Sequence, residues 1–316
     1  MSDEDPTRIS PEEAFAIVAD KTRLEILLTL GEAGEALSFS TLFDRSEYDT
    51  RSNFSYHLKQ LADHFIERHD EGYVIRQAGR RIVEAVLAEA VPTAEDFDRT
   101  AVNWPCFLCG EPIEVSFREG HVGLYCPACG GTRNDRSSTG DGRLIDGRDV
   151  LGILDLPLAG TIDRSPQEVV EAADYWTTLE ALAVARGMCP RCSANLKVSE
   201  NACSEHIETD RPCRNCGQRF ALTINYDCMN CIYTIEAPFG TLLLDDPALR
   251  LFMLDHGLDP FESSGFHIHA LEETIHNTDP LVAELKYSIN GDSIRFSVDD
   301  DLDVRLVSDD EAVESD

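Results

Sequence analysis

The sequence predicts an α+β protein built in modules. Helices come first, then strand segments carrying paired cysteines, then a mixed α+β region. Apolar residues recur at three- and four-residue spacing through residues 11–90, the period of an amphipathic helix. Ten of the eleven cysteines fall into Cys-x-x-Cys pairs from Cys106 onward. After Cys231, short alternating runs separated by turn residues return. The 316-residue length suits two or three domains, and 42% apolar content is enough to bury real cores.

The charge balance narrows the reading. Asp+Glu number 59 against 27 Lys+Arg, a formal charge of -32, and the pI is near 4.5. Only four of the basic residues are lysines: Lys21, Lys59, Lys197 and Lys286. This balance resembles that of proteins from extreme halophiles, where the Debye length at molar salt is about 3 Å and self-repulsion is screened. Weak phosphate contacts are screened there too, and a negative surface argues against a generic nucleic-acid coat. No basic-then-apolar opening run is present, so no signal peptide is expected. No stretch approaches the length of a membrane-spanning apolar run. A cytoplasmic location without membrane partners is expected.

The N-terminal elements follow from capping and period. Ser10 caps a helix start, Pro11 suits the first helical position and Glu13 returns a hydrogen bond to the cap. Phe15, Ile17 and Val18 carry this helix. Asp20 precedes a second helix from Lys21 to Leu30, with Leu24, Leu27 and Leu28 on one face and Gly31 and Gly34 as stops. A short helix is expected over Ser38–Arg45, a turn over Ser46–Thr50, and a fourth helix over Arg51–His64 with Phe54, Leu58, Leu61 and Phe65 inward. Two extended runs flank Asp70-Glu-Gly72, a hairpin signal. Arg80–Ala90 completes the set as an amphipathic helix through Ile82, Val83, Val86 and Leu87.

Short helix, turn, longer helix and hairpin is the layout of a winged helix-turn-helix, whose second helix enters the DNA major groove. From Arg51 to Gln60 there are two basic residues and no acidic one, and residues 51–81 carry six basic against four acidic side chains. That is the local electrostatic footprint of a nucleic-acid reader. Arg51 and Lys59 are candidate phosphate contacts, Ser52, Asn53 and Ser55 contact bases or cap the helix, and Tyr56 contacts DNA or packs at the helix edge. His57 fits better as a surface or capping residue than as a base reader. His64 and His69 fit as solvent-facing residues, and Arg68 as a partner of Glu67 or Asp70.

Residues 15–90 resemble an ArsR-type winged helix-turn-helix transcriptional regulator. The resemblance rests on Val18-Ala-Asp-Lys-Thr-Arg-Leu-Glu-Ile-Leu27, Asn53-Phe-Ser-Tyr-His-Leu-Lys-Gln-Leu61 and Asp70-Glu-Gly-Tyr-Val-Ile-Arg76. The whole chain is similar to haloarchaeal members that append zinc-binding cysteine pairs. The resemblance implies a homodimer on partly symmetric double-stranded DNA, with the helix from Arg51 to Gln60 reading bases and the wing near Arg76 meeting the backbone. Metal-sensing members carry a Cys-x-Cys motif early in the DNA-binding region. No cysteine precedes Cys106 here, which argues against arsenite or cadmium sensing by that route.

The cysteine pairs are Cys106/Cys109, Cys126/Cys129, Cys189/Cys192, Cys213/Cys216 and Cys228/Cys231, and Cys203-Ser-Glu-His206 adds a sixth two-residue spacer. Twelve candidate ligands make three tetrahedral sets, because a two-residue spacer turns both side chains toward one ion. Three zinc ions per chain are therefore expected. Cys106, Cys109, Cys126 and Cys129 form the first set, with Gly110 and Gly130 at the sharp turns and alternating Ile113, Val115 and Phe117 between. This is the pattern of a zinc ribbon. The other eight divide sequentially (Cys189/Cys192/Cys203/His206 with Cys213/Cys216/Cys228/Cys231) or crossed (Cys189/Cys192/Cys213/Cys216 with Cys203/His206/Cys228/Cys231). The sequential choice closes shorter loops, an advantage of about 1 kcal/mol that does not decide. A third option leaves Cys203 and His206 unbound, with Cys203 as a small buried apolar residue.

Each set is complete in protein ligands, leaving no position for a catalytic water. No His-Glu-x-x-His, Gly-rich phosphate loop, Ser-x-x-Lys or Gly-x-Ser-x-Gly pattern occurs. No catalytic residue is nominated, and an enzyme is not expected. Further along, Leu151–Leu158 suits a strand and Ser165-Pro166 opens a helix to Arg186, on which Trp176 is most simply core or interface. A strand after Cys231, a capped helix from Asp246 to His256 and a hairpin around Asn290-Gly-Asp292 complete the chain, with a last strand at Val304–Val307. His267 and His269 make a His-x-His pair without an evident second pair of ligands.

The expected organisation is a winged helix-turn-helix at 8–91, a linker at 92–103, a zinc ribbon at 104–132 and a connecting strand and helix at 133–186. Paired zinc-ribbon-like sites follow at 187–233, then an α+β effector or dimer region at 234–308 and an acidic tail at 309–316. The expected function is a sequence-specific DNA-binding transcriptional regulator, tuned by a small-molecule or protein effector at the C-terminal region. The alternative is a zinc-ribbon adaptor that binds protein or RNA and uses the helical head to dimerise.

Overall fold

Capping decides where the first helices of the computed structural model begin. Helix α1 (Pro11–Val18) starts in a capping box: Ser10 Oγ accepts from the Glu13 N–H at 3.2 Å, and Glu13 Oε2 accepts from the Ser10 N–H at 2.9 Å. Helix α2 (Lys21–Ala33) is capped by Asp20 and runs through Gly31 to Gly34, which takes the left-handed φ of 65°. Gly31 does not stop the helix. It faces Val83, which a Cβ there would meet at 3.2 Å, so glycine serves close approach rather than termination. The structure describes residues 9–89, 96–132, 149–203, 205–206, 212–258 and 272–307. The chain divides into two units, residues 1–92 and 93–316.

In the first unit, α3 (Phe39–Arg45) and α4 (Arg51–Leu61) lead to β1 (Ile66–His69), which pairs antiparallel with β2 (Gly72–Ile75), and then to α5 (Gln77–Glu89). Helix α4 ends before the expected His64, because Asp63 turns out of the helix at φ 72°. Helix α5 starts before the expected Arg80. The core takes Ile26, Leu27 and Leu30 from α2, with Leu42, Phe54, Leu58, Leu61, Ile66, Ile75 and Val83. The expected face of Leu24, Leu27 and Leu28 is thus rotated, and Leu24 and Leu28 are only half-buried. Phe54 is fully buried and edge-on to Phe39 and Phe43, with centroids at 5.7 and 5.5 Å. Burying such a ring contributes about 1.5–3 kcal/mol, and each edge-to-face contact about 1 kcal/mol.

Among its described residues the second unit contains three antiparallel sheets. The first runs in the order β3 (Phe97–Pro105), β4 (Pro112–Arg118), β5 (His121–Tyr125), β6 (Val150–Asp155). Residues 92–103, expected as a linker, thus include most of a strand. Register shifts between Phe97 and Thr100 and between Ala101 and Pro105 break its alternation, which hides the two-residue period in the sequence. Helix α6 (Pro166–Ala185) begins in a second capping box at Ser165 and Glu168. Its Val169, Val170 and Ala173 join Val115, Phe117, Leu124 and Leu154 in one core. Its Val184 enters another core with Leu222, Tyr226, Phe239, Leu285 and Phe296. Trp176 keeps 38% exposure at the helix edge.

That other core lies among the two remaining sheets. One is β7 (Leu196–Ala202), β8 (Leu222–Cys228) and β9 (Thr234–Pro238). The other is β10 (Glu272–Thr278), β11 (Leu281–Ile289), β12 (Asp292–Val298) and β13 (Val304–Leu306), with α7 (Pro247–Asp255) between the sheets in sequence. The capped α7, the β11–β12 hairpin and the last strand match expectation, whereas the polar β10 was not foreseen. Among the described residues no helix is long and apolar enough to cross a membrane. Residues 133–142, the His267/His269 pair and the tail 309–316 lie outside the described residues.

Candidate metal centres

All twelve expected ligands gather into three groups of four, with the ligand atoms of each group within 4.8 Å of one another. The first is Cys106, Cys109, Cys126 and Cys129, as expected. Its knuckles sit at the β3–β4 turn and after β5, so the sheet ladder aligns them. The Cys106–Cys129 and Cys109–Cys126 sulfur separations are 3.7 and 3.5 Å. These are far beyond the about 2.05 Å of a disulfide. They are close to the about 3.8 Å edge of a tetrahedron with zinc–sulfur bonds of about 2.3 Å. The residues therefore fit zinc in a four-thiolate site.

The other eight ligands pair in neither expected way. Cys189, Cys192, Cys228 and Cys231 form the second centre, and Cys203, His206, Cys213 and Cys216 the third. Strand β7 is the physical reason. Cys189 and Cys192 precede it and Cys203 follows it, so the two ends are separated by about 20 Å of extended chain. Both expected partitions required ligands from opposite ends of β7 to share an ion. The antiparallel ladder Leu196↔Cys228 to Ala202↔Leu222 instead brings Cys228 and Cys231 back to the first pair, and the third centre closes the far end. In the second centre Cys189–Cys231 and Cys192–Cys228 stand at 3.7 and 3.5 Å. Cys203 and His206 are placed with Cys213 and Cys216 so that all four could ligate one ion.

Local geometry is repeated at the knuckles. The residue after the second cysteine takes a left-handed φ at Gly110, Gly130, Ser193 and Gly217 (78°, 79°, 63° and 73°). Backbone N–H groups point at thiolates, as from Leu108 to Cys106 Sγ at 3.4 Å, Asn215 to Cys213 Sγ at 3.3 Å and Cys231 to Cys228 Sγ at 3.3 Å. Donation from Cys231, with that from Asn230, pulls the Cys228 thiol down to about 6. Burial pushes the Cys106 thiol up, so an ion binding there displaces its proton. In the third centre His206 Nδ1 lies 3.5 Å from Cys216 Sγ, and Nε2 is 3.2 Å from the Arg219 carbonyl. Donation from Nε2 fixes the tautomer that leaves Nδ1 free for a metal.

An ionic cluster that sequence reasoning missed joins the second centre to the first sheet. Arg191, inside the Cys189–Cys192 knuckle, lies 2.8 Å from Glu180 Oε1 on α6 and donates to Asp155 Oδ2 on β6 at 3.2 Å. Asp155 Oδ1 is 2.9 Å from His121 Nδ1, and Arg191 stands 5.8 Å from the Tyr233 ring centroid. Burial raises the Glu180 carboxyl above its ordinary range, with the Arg191 charge opposing. No local pattern marks this cluster, since its members lie on four separate elements.

The expected DNA contacts lie on the first unit. Arg51, Ser52, Asn53, Tyr56 and Lys59 are exposed on α4, and Ser55 is half-buried. The Arg51 guanidinium sits 4.9 Å from the Phe43 ring centroid. Arg76 donates to the Asp63 carbonyl at 2.7 Å and pairs with Glu67 at 3.6 Å, so it braces the hairpin. His57 is placed inward, with Nε2 3.1 Å from the Tyr48 hydroxyl and Nδ1 3.4 Å from Asp20. Arg68 makes neither expected ion pair among the described residues.

No curated protein and no solved structure matches the chain. A family model described as domain of unknown function DUF7347 matches residues 11–86, from α1 into α5. A second, domain of unknown function DUF7351, matches residues 103–304 and takes in all twelve ligands. That match covers more than half of the sequence, and the chain belongs to the DUF7351 family.

Proposed function

We propose that the protein is a sequence-specific DNA-binding transcriptional regulator that works as a homodimer and carries structural zinc. The observation that carries this reading is α4. It follows α3 and a turn, precedes the β1–β2 hairpin, and presents a row of exposed polar and basic side chains free of carboxylates. Thr50 makes no side-chain cap, so the first N–H groups of α4 remain available to a phosphate beside Arg51. The homodimer is supported by apolar side chains that a second copy would cover: Phe15 on α1 is 74% exposed and Leu87 on α5 is 54% exposed. The ArsR-type likeness and the halophile-like charge belong to this same reading, and so does an effector acting at the C-terminal region.

The test is genome-wide DNA occupancy in the native host, with an Arg51→Ala/Lys59→Ala control. Discrete promoter sites lost in the control support the regulator. In vitro the double variant lowers the salt slope of binding by about 2, one per phosphate contact. Unchanged occupancy overturns the assignment of these residues. A zinc-ribbon adaptor is favoured by one observation, the fully exposed Ile232 and the 74% exposed Met229 at the tip of the second centre. Absence of any discrete occupancy, with an intact dimer, favours that reading instead.

A further inference from the structure

Helix α6 carries apolar residues on both of its faces. Val169, Val170 and Ala173 enter one core and Val184 the other. On the opposite side Tyr175 is 55% and Leu179 63% exposed, with Trp176 beside them. A helix apolar all round belongs in a setting buried on all sides, and one side of α6 is open. Of the carboxylates between Glu168 and Arg186, Asp174 and Glu180 are buried. The third, Glu171, is half-buried and accepts from Gln167 at 2.8 Å. The exposed residues of that span are thus Tyr175, Trp176 and Leu179.

The open side reads as a self-complementary stripe. Glu168, Ala172, Tyr175, Leu179, Leu182 and Arg186 follow one another in steps of four and three, so they line up along one face. An antiparallel copy of the helix, centred level with Thr177, sets residues equally far before and after that level face to face. Tyr175 then meets the partner's Leu179, and Ala172 meets the partner's Leu182. Glu168, at the first turn, meets the partner's Arg186, which follows the last turn. Arg186 pairs with Asp245 of its own chain and still keeps its side chain 67% exposed. An exposed ion pair adds little affinity, but it fixes orientation. A parallel copy would instead oppose Glu168 to Glu168 and Arg186 to Arg186, like charge to like.

The charge of the chain points the same way. At -32 two copies repel each other, so a self-contact belongs where the exposed side chains are uncharged. Tyr and Trp are the residues enriched at the centre of such contacts.

We infer that the exposed face of α6 docks a second copy of this chain, antiparallel about a twofold axis level with Thr177, through Tyr175, Trp176 and Leu179. The inference rests on the homodimer of the proposed function for its partner. It adds a contact in the second unit, distinct from Phe15 and Leu87, and it does not depend on DNA binding.

The experiment measures self-association of the full-length chain by sedimentation equilibrium at one fixed salt and zinc concentration. Tyr175→Arg and Leu179→Asp each weaken association about tenfold or more. Both keep the main thermal unfolding transition, because the two positions are exposed. An equimolar mixture of the two variants associates about fivefold or more tightly than either variant alone. In the mixed pair the introduced guanidinium faces the introduced carboxylate on one side of the axis, and the native Tyr175–Leu179 contact remains on the other. A dimer indifferent to both substitutions overturns the inference while leaving a dimer held by the first unit. A wild-type chain that stays monomeric overturns both. A mixture no tighter than its parents overturns the antiparallel contact.

Discussion

Arg191→Met replaces a guanidinium with an uncharged side chain of similar reach, inside a knuckle whose cysteines remain. The charge it removes is the cation that faces Glu180 at 2.8 Å, and the Glu180 side chain is only 10% exposed. Breaking a buried pair by removing one partner costs about 3–5 kcal/mol, because the other charge is left uncompensated. Here the Arg191 side chain is 40% exposed, so solvent already weakens the pair. The expected loss is therefore about 2–3 kcal/mol at neutral pH. Burial already holds the Glu180 carboxyl above its ordinary range. A raised folded-state value means that ionising the group opposes folding. Its favourable contribution is complete below the unfolded value of about 4.3 and is lost as pH rises through the folded value.

Acid would also protonate the thiolates of any metal-loaded centre, so substitution is the cleaner way to remove the charge. Glu180→Gln keeps the shape and abolishes ionisation. In that background Arg191→Met costs less than about 1 kcal/mol, a coupling of about 1.5–2 kcal/mol. Denaturant unfolding of the four proteins at one fixed free zinc concentration measures the cycle. An equal cost of Arg191→Met in both backgrounds would refute the reasoning, because the effect would then be packing rather than a stranded carboxylate.

Further outcomes follow from single positions. Ser193 holds a left-handed φ of 63° where Gly110, Gly130 and Gly217 follow three other knuckles, so Ser193→Gly raises stability by about 0.5–1 kcal/mol in thermal unfolding. Gly79→Ala places a Cβ 2.5 Å from the Phe65 carbonyl oxygen and 2.8 Å from Ile75 Cγ1; it lowers the stability of the first unit by about 1–3 kcal/mol, read by circular dichroism. Burial pushes the Cys216 thiol up to about 11, so zinc binding at the third centre releases protons near neutral pH. Affinity there falls as pH is lowered from about 8 to 6, and calorimetry in buffers of differing ionisation enthalpy counts the protons.

The legible part of the sequence was chemical and local. Ser10, Asp20, Ser165 and Asp246 each mark a helix start that the structure places beside them. The twelve ligands were legible because metal chemistry restricts residue type and spacing together. Their partition was not. Loop-closure entropy treats the chain between ligands as flexible, whereas β7 is a rigid rod that keeps its two ends apart. Strand β3 was hidden by its two register shifts. The Arg191 cluster was hidden because four elements contribute to it and none of them carries a period or motif for it. Gly31 misled for a related reason: a glycine facing Val83 and a glycine that ends a helix look alike until the neighbour is known.

Strand β7 shows what ions held at the second and third centres would do for the fold. Of its residues Leu196–Ala202 only Leu196 is buried, and the rest are half-buried or exposed. Register is normally pinned by a row of side chains on a buried face, and β7 has no such row. Its partner β8, with Leu222, Ile224 and Tyr226 buried, is held by the core regardless. The register of β7 must then come from its ends, where the second and third centres tie the residues before and after it to those flanking β8. With one tie released the ladder frays from that end; with both released only Leu196 at its start and the half-buried Ala202 at its end hold β7 to the core. Hydrogen exchange by residue therefore shows β7 amides losing protection from Ala202 inward in a Cys203→Ser variant, and from Leu196 inward in a Cys192→Ser variant. The β8 amides that bond to β9 stay protected in the Cys203→Ser variant. Uniform loss of protection along β7 in both variants would mean that the ladder holds or fails as one unit, and that its ends do not set its register.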